Sequence, residues 1–162
     1  MGFSEVGDVG RLPSTEPFDP AKIFVEGTLI GRLPMRLLGD FFERVFLSGD
    51  AGLIESKPPL QNSRYYDWSA PGPRCDIFTS FGGEVATLNL SFIHWLMENQ
   101  NPDRALNEML LDGRRNYFLV LDAKGHSQLV YVMVNNCIWD FGAMSWPSVP
   151  GEEGFRFFVK RR

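Results

Sequence analysis

Six consecutive apolar residues, Leu129-Val130-Tyr131-Val132-Met133-Val134, constrain this chain more than any other feature. A strand with one face in water alternates apolar and polar residues, because successive side chains point to opposite sides. This run does not alternate, so both of its faces need cover. In a chain of 162 residues a second copy is one source of that cover. The run therefore reads first as part of an assembly subunit and only then as part of an enzyme.

Composition bounds the rest. With 44% hydrophobic and 22% charged residues in 18.4 kDa, the chain is expected to form one domain, residues 1–162, around a substantial core. No stretch approaches the roughly 18 to 20 apolar residues of a membrane helix. The opening MGFSEVGDVG has neither the basic start nor the apolar segment of a secretion signal. A soluble protein without a membrane anchor is expected. Met1-Gly2 begins like a myristoylation signal, but Val6 stands where Ser or Thr is wanted.

Cys75 and Cys137 show no CxxC or Cys/His spacing and are expected to be buried free thiols. His94 and His126, the two histidines, are poor material for a metal site or a histidine-based triad. Residues 1–55 carry five basic and nine acidic side chains, a net of −4, while the remainder balances. No clustered Lys and Arg mark a phosphate-gripping surface. The closing Lys160-Arg161-Arg162 is expected to be a solvated end.

Residues 1–22, rich in Gly, Pro and acids, form an N-terminal arm expected to be ordered by docking, on its own domain or on a neighbour. A strand is predicted over 23–30, and a helix over 35–47 from Met35, Leu38, Phe42, Val45 and Phe46. Residues 50–83 read as an irregular Pro/Gly/aromatic-rich connection, in which Tyr65, Tyr66 and Trp68 suggest contact. Alternation of Ala86, Leu88, Leu90 and Phe92 predicts a strand over 84–96. Asn101, Pro102 and Gly113 bracket a predicted helix over 101–112. Residues 117–121 and 128–134 flank Asp122-Ala123-Lys124-Gly125 as a hairpin, and 155–159 alternates as a last strand. The order gives an α+β domain: an antiparallel sheet, or a small β-barrel or sandwich, with two helices. Candidate interface residues are Tyr65, Tyr66, Trp68, Val130, Val132 and Val134.

Pro102-Asp103 and Asp122-Ala123-Lys124 spell the PD-(D/E)xK pattern of metal-dependent nucleases. There the acid and lysine project from one strand into a cleft, whereas here Lys124 abuts a turn glycine and Asp103 opens a predicted helix. Gly82-Gly83 precedes a strand, so it cannot present helix amides to a phosphate. No GxGxxG, GK[ST] or GxSxG string occurs. No catalytic, cofactor-binding or metal-binding residue is assigned, and none of these groups is expected.

The segment TLNLSFIHWLMENQNPDRALNEMLLDGRRNYFLVLDAKGHSQLVYVMVNNCIWDF resembles the tail-tube proteins of contractile bacteriophages. Leu88 to Phe92, Asp103 to Asp112, Arg114-Arg115, Asp122 to Gly125 and Trp139 stand where that family has a strand, an acidic leucine-rich helix, a basic exit, a charged hairpin turn and a tryptophan. The resemblance implies a barrel-like domain whose sheets join copies around a six-fold ring. Its partners would be those copies and neighbouring assembly proteins, with DNA passing unbound, in a virion made in the host cytoplasm. The predicted helix at 35–47 and the aromatic stretch at 57–83 depart from a plain tube subunit, so a tube-capping, tube-initiating, baseplate or neck component fits nearly as well. The alternative is a small binding or immunity-type module; a PD-(D/E)xK-like nuclease ranks third.

Overall fold

A computed structural model describes residues 3–11, 16–48, 54–55, 61–68, 87–101, 103, 107–145 and 154–160. In chain order its elements are β1 (Phe3–Arg11), α1 (Pro20–Ile23), β2 (Leu29–Ile30), β3 (Leu33–Leu37), the π-helix α2 (Glu43–Leu47), β4 (Gln61–Trp68), α3 (Leu90–Glu98), β5 (Asn116–Leu121), β6 (Ser127–Asn135), β7 (Ile138–Ser145) and β8 (Arg156–Lys160). The eight strands form one sheet in the order β1-β4-β8-β5-β6-β7-β3-β2.

The α+β class holds, with two refinements. The sheet is mixed, because β5 runs parallel to β8 and β3 parallel to β7. It is also open: β1 and β2 are its two edges, so the barrel alternative is corrected. Closure would need those edges to meet, and β2 has only two residues to offer.

The predicted hairpin is β5 and β6, with Gly125 at φ +80° in the turn. The run at 129–134 lies in the interior of the sheet, between β5 and β7. Its two faces are sorted into two cores of the same chain. Val130 and Val132 are fully buried with Phe118, Val120, Phe141 and Phe158 under the helices. Leu129 is fully buried on the other side with Tyr117, Phe157, Trp68 and Phe155. Tyr131, Met133 and Val134 are half-buried, Met133 in neither core, so the chain covers most of the run without a second copy. Neighbouring β5 and β8 repeat the pattern, Tyr117 and Phe157 facing one core and Phe118 and Phe158 the other.

Four elements differ from the sequence reading. Residues 90–98 are helix and not strand, burying Leu90, Ile93, Leu96 and Met97 against the sheet. Among described residues, 107–112 are not helical; side chains hold their backbone instead. Gln100 Oε1 accepts from Met109 N at 3.1 Å, while Asn116 accepts from Leu110 N at 2.7 Å and donates to Leu110 O at 2.9 Å. Asn101 Oδ1 accepts from Asp103 N at 3.0 Å, turning the chain there. The predicted helix at 35–47 splits at Gly39, φ +68°: Met35, Arg36 and Leu37 pair with Trp139, Asp140 and Phe141 in β7, and only the remainder coils. The strand predicted at 23–30 is α1 followed by a turn and the short β2.

The N-terminal arm docks on its own chain, β1 pairing antiparallel with β4 from Phe3↔Trp68 to Arg11↔Gln61. Part of the connection read as irregular is thus a regular strand, and residues 69–83 lie outside those described. A two-residue turn, Asn136 (φ 50°) and Cys137 (φ 60°), joins β6 to β7. Both residues are left-handed, the backbone that fits a tight hairpin and favours Asn-Gly. Cys137 is exposed, which corrects the buried thiol expected there; Cys75 lies outside the described residues. Cys137→Gly is expected to stabilise the fold by roughly 1 kcal/mol through relief of the left-handed penalty. Thermal unfolding checks this, and a lower midpoint would count against the turn geometry.

Candidate interaction surface

Of the six candidate interface residues, three are core. Val130 and Val132 are fully buried, and Trp68, 6% exposed, stacks on Phe155 at 6.0 Å between ring centroids. None of these three presents a surface. Tyr65, Tyr66 and Val134 are half-buried. Tyr65 lies 5.3 Å from Phe158 with the Arg156 guanidinium 5.0 Å from its ring centre. Desolvation raises its phenol above the usual range, against the opposing charge of Arg156. Tyr66 packs on the other core and Val134 on the helix-side core. Strands β8 and β5 separate β4 from β6, so the six do not form one patch.

The two acids of the nuclease pattern have other partners. Asp103 is 83% exposed at its side chain and pairs with Arg32 at 3.0 Å. Asp122 is spent on its own turn, accepting from Lys124 N, His126 N and Gln128 Nε2, each at 2.9 Å. Burial, the largest influence, raises its carboxyl, but the hydrogen bonds from Gln128, His126 and Lys124 together hold it below the ordinary value. The stability it contributes is thus full above about pH 4, the unfolded carboxylate value, and is lost as pH falls through the lowered folded value. Asp122→Asn is expected to flatten the acid side of the stability curve, measured by urea unfolding at pH 5 and about pH 3. An unchanged acid slope would remove the turn from the account of acid stability. Among described residues no group of three or more His, Cys, Asp or Glu side chains could hold a metal ion.

Sequence reading missed two ionic centres, each with one buried partner. Asp140, 2% exposed, takes both Arg36 Nε at 2.8 Å and Arg36 Nη2 at 2.9 Å, and Asn135 Nδ2 at 3.0 Å. The Arg36 guanidinium is held above its usual value by that hydrogen-bonded carboxylate. Arg156 is 7% exposed, pairs with Asp67 at 2.6 and 2.9 Å, and donates to Glu108 O at 2.7 Å. Both centres cross between strands adjacent in the sheet; the register that brings their partners together, Arg36↔Asp140 and Asp67↔Arg156, is not readable from spacing.

Exposed large apolar side chains among the described residues are Val6, Val25, Leu29, Ile54 and Leu121. Val25 and Leu29, 45% and 68% exposed, stand four positions apart, just after α1. Val25 also lines a cleft of about 480 Å³ with Ala21, Phe24, Glu26, Leu37 and Leu47. The cleft exists because Phe24 stacks on Phe141 at 4.7 Å and meets Phe42 edge-on at 5.5 Å, fixing α1 and α2 on the sheet. In a π-helix, bonded i to i+5, residues four or five apart share a side, and Glu43 and Leu47 both line the cleft.

No protein-family model matches the chain, and no curated protein or solved structure shows significant similarity to it. No helix among the described residues is long and apolar enough to cross a membrane.

Proposed function

We propose that this chain is a non-enzymatic protein-binding module that engages its partner through the cleft between α1 and α2. One observation carries the reading: Val25 stays in water at a cleft that pairs the apolar side chains of Phe24, Leu37 and Leu47 with the carboxylates of Glu26 and Glu43, while Val130, Val132 and Leu129 are covered within the chain. Apolar surface left exposed beside a concavity is where partners dock. A photo-crosslinking residue at Ala21, exposed in the cleft lining, is expected to trap one partner protein in high yield, and Val25→Asp to abolish the trapping. Indiscriminate trapping that Val25→Asp leaves intact would overturn the reading.

A second reading is the structural subunit of a contractile-tail assembly, as tube, baseplate or neck component, located in the virion. The open edge of β1 favours it. This nine-residue strand pairs on one side only among described residues, and ring subunits can join sheets edge to edge. Against it, β1 carries Glu5, Asp8 and a bulge between Glu5 and Gly7, devices that blunt an edge. Under this reading Val6→Pro would abolish ring formation; under the first it leaves binding untouched.

A further inference from the structure

Which partner the cleft takes follows from its charge. Its apolar lining is Phe24, Val25, Leu37 and Leu47, and the charged side chains lining it are Glu26 and Glu43. Glu26 is oriented by the sheet, its Oε1 accepting from Leu37 N at 3.1 Å. Of the cations on the surrounding elements, Arg36 is held mainly by Asp140 and only weakly by Glu26. Arg36 forks onto Asp140 at 2.8 and 2.9 Å, Arg44 lies 5.4 Å from the Phe41 ring centre, and Lys22 Nζ is 4.0 Å from Asp19.

We propose that the cleft receives a segment of a partner protein that inserts an apolar side chain and carries lysine or arginine beside it. This rests on the binding-module reading. Apolar insertion supplies the burial, and carboxylates at the rim select cationic neighbours and repel acidic ones. Hydrophobic area alone would accept any apolar segment; Glu26 and Glu43 make the choice.

The test uses three short labelled peptides of leucine alternating with lysine, serine or glutamate, titrated into the full chain by fluorescence anisotropy. The leucine/lysine peptide is expected to bind tightest and the leucine/glutamate peptide not to bind. Glu43→Lys should weaken the leucine/lysine complex roughly tenfold, and Val25→Asp should abolish it. Glu5→Lys on β1, an equal charge change away from the cleft, is expected to have little effect. Equal losses from Glu5→Lys and Glu43→Lys would overturn the inference, since general attraction would then explain binding. Equal binding of all three peptides, abolished by Val25→Asp, would overturn the charge selection and leave the docking reading standing. Binding by no peptide, or binding indifferent to Val25→Asp with the fold intact by circular dichroism, would overturn both.

Discussion

Asp67→Ala is expected to destabilise the protein by about 3 kcal/mol, because it leaves the Arg156 guanidinium buried without its counter-charge. Arg156 keeps only 9% of its side chain exposed, whereas Asp67 keeps 34%. The two deletions are therefore unequal. In Arg156→Met the carboxylate left behind is rehydrated, and methionine fills the volume over Tyr65; the loss is the hydrogen bonds to Asn107 O and Glu108 O. That variant should cost less than Asp67→Ala. The double variant should be more stable than Asp67→Ala alone, because the stranded charge has gone. Urea unfolding of the four proteins closes the cycle, and additive losses would show that the pair is solvated in the native state.

The second large effect is at Phe141. Its ring is fully buried, stacked on Phe24 at 4.7 Å and edge-on to Phe42 at 4.5 Å, and its backbone oxygen accepts from Leu38 N at 2.8 Å. Phe141→Ala should cost about 4 kcal/mol, from lost burial and the cavity that remains. It also removes the support of α1 and α2, so peptide binding at the cleft should fall along with stability. Denaturant unfolding gives the first number and anisotropy the second. A loss below about 1 kcal/mol would mean that the helices repack onto the sheet without this ring.

How much of this was readable in advance varied with how local the deciding interaction is. The β5–β6 hairpin and β8 were legible, since turn chemistry at Asp122 to Gly125 and the apolar runs act over a few residues. Residues 84–96 carried two periods at once. Leu88, Leu90 and Phe92 alternate, yet Leu90, Ile93 and Met97 recur at helical steps, and burial of that stripe against the sheet decided for helix from Leu90 onward. At 101–112 good capping residues lost to side chains just outside the segment: Gln100 and Asn116, nine and six positions away, satisfy the backbone of Met109 and Leu110 where a helix would have done so. Met35 to Leu37 became a strand because β7 offered a parallel ladder, more than a hundred positions along the chain.

The same locality explains the candidate interface. The run at 129–134 needs cover on both sides, but local spacing does not show that Trp68 of β4 and Phe155, just before β8, supply part of it. The cleft was illegible for a related reason: it is made where Phe24, just past α1 and stacked on Phe141, comes together with Leu37 of β3 and Leu47 of α2. Two aromatic–glycine pairings, Tyr131 over Gly142 and Tyr65 over Gly7, likewise depend on register and are invisible in composition.

Mass in solution bears most directly on the claim that both faces of the sheet are closed within one chain. Light scattering across a dilution series of the purified protein should return the single-chain value of 18.4 kDa at every concentration. A ring or larger multiple that persists on dilution would contradict it.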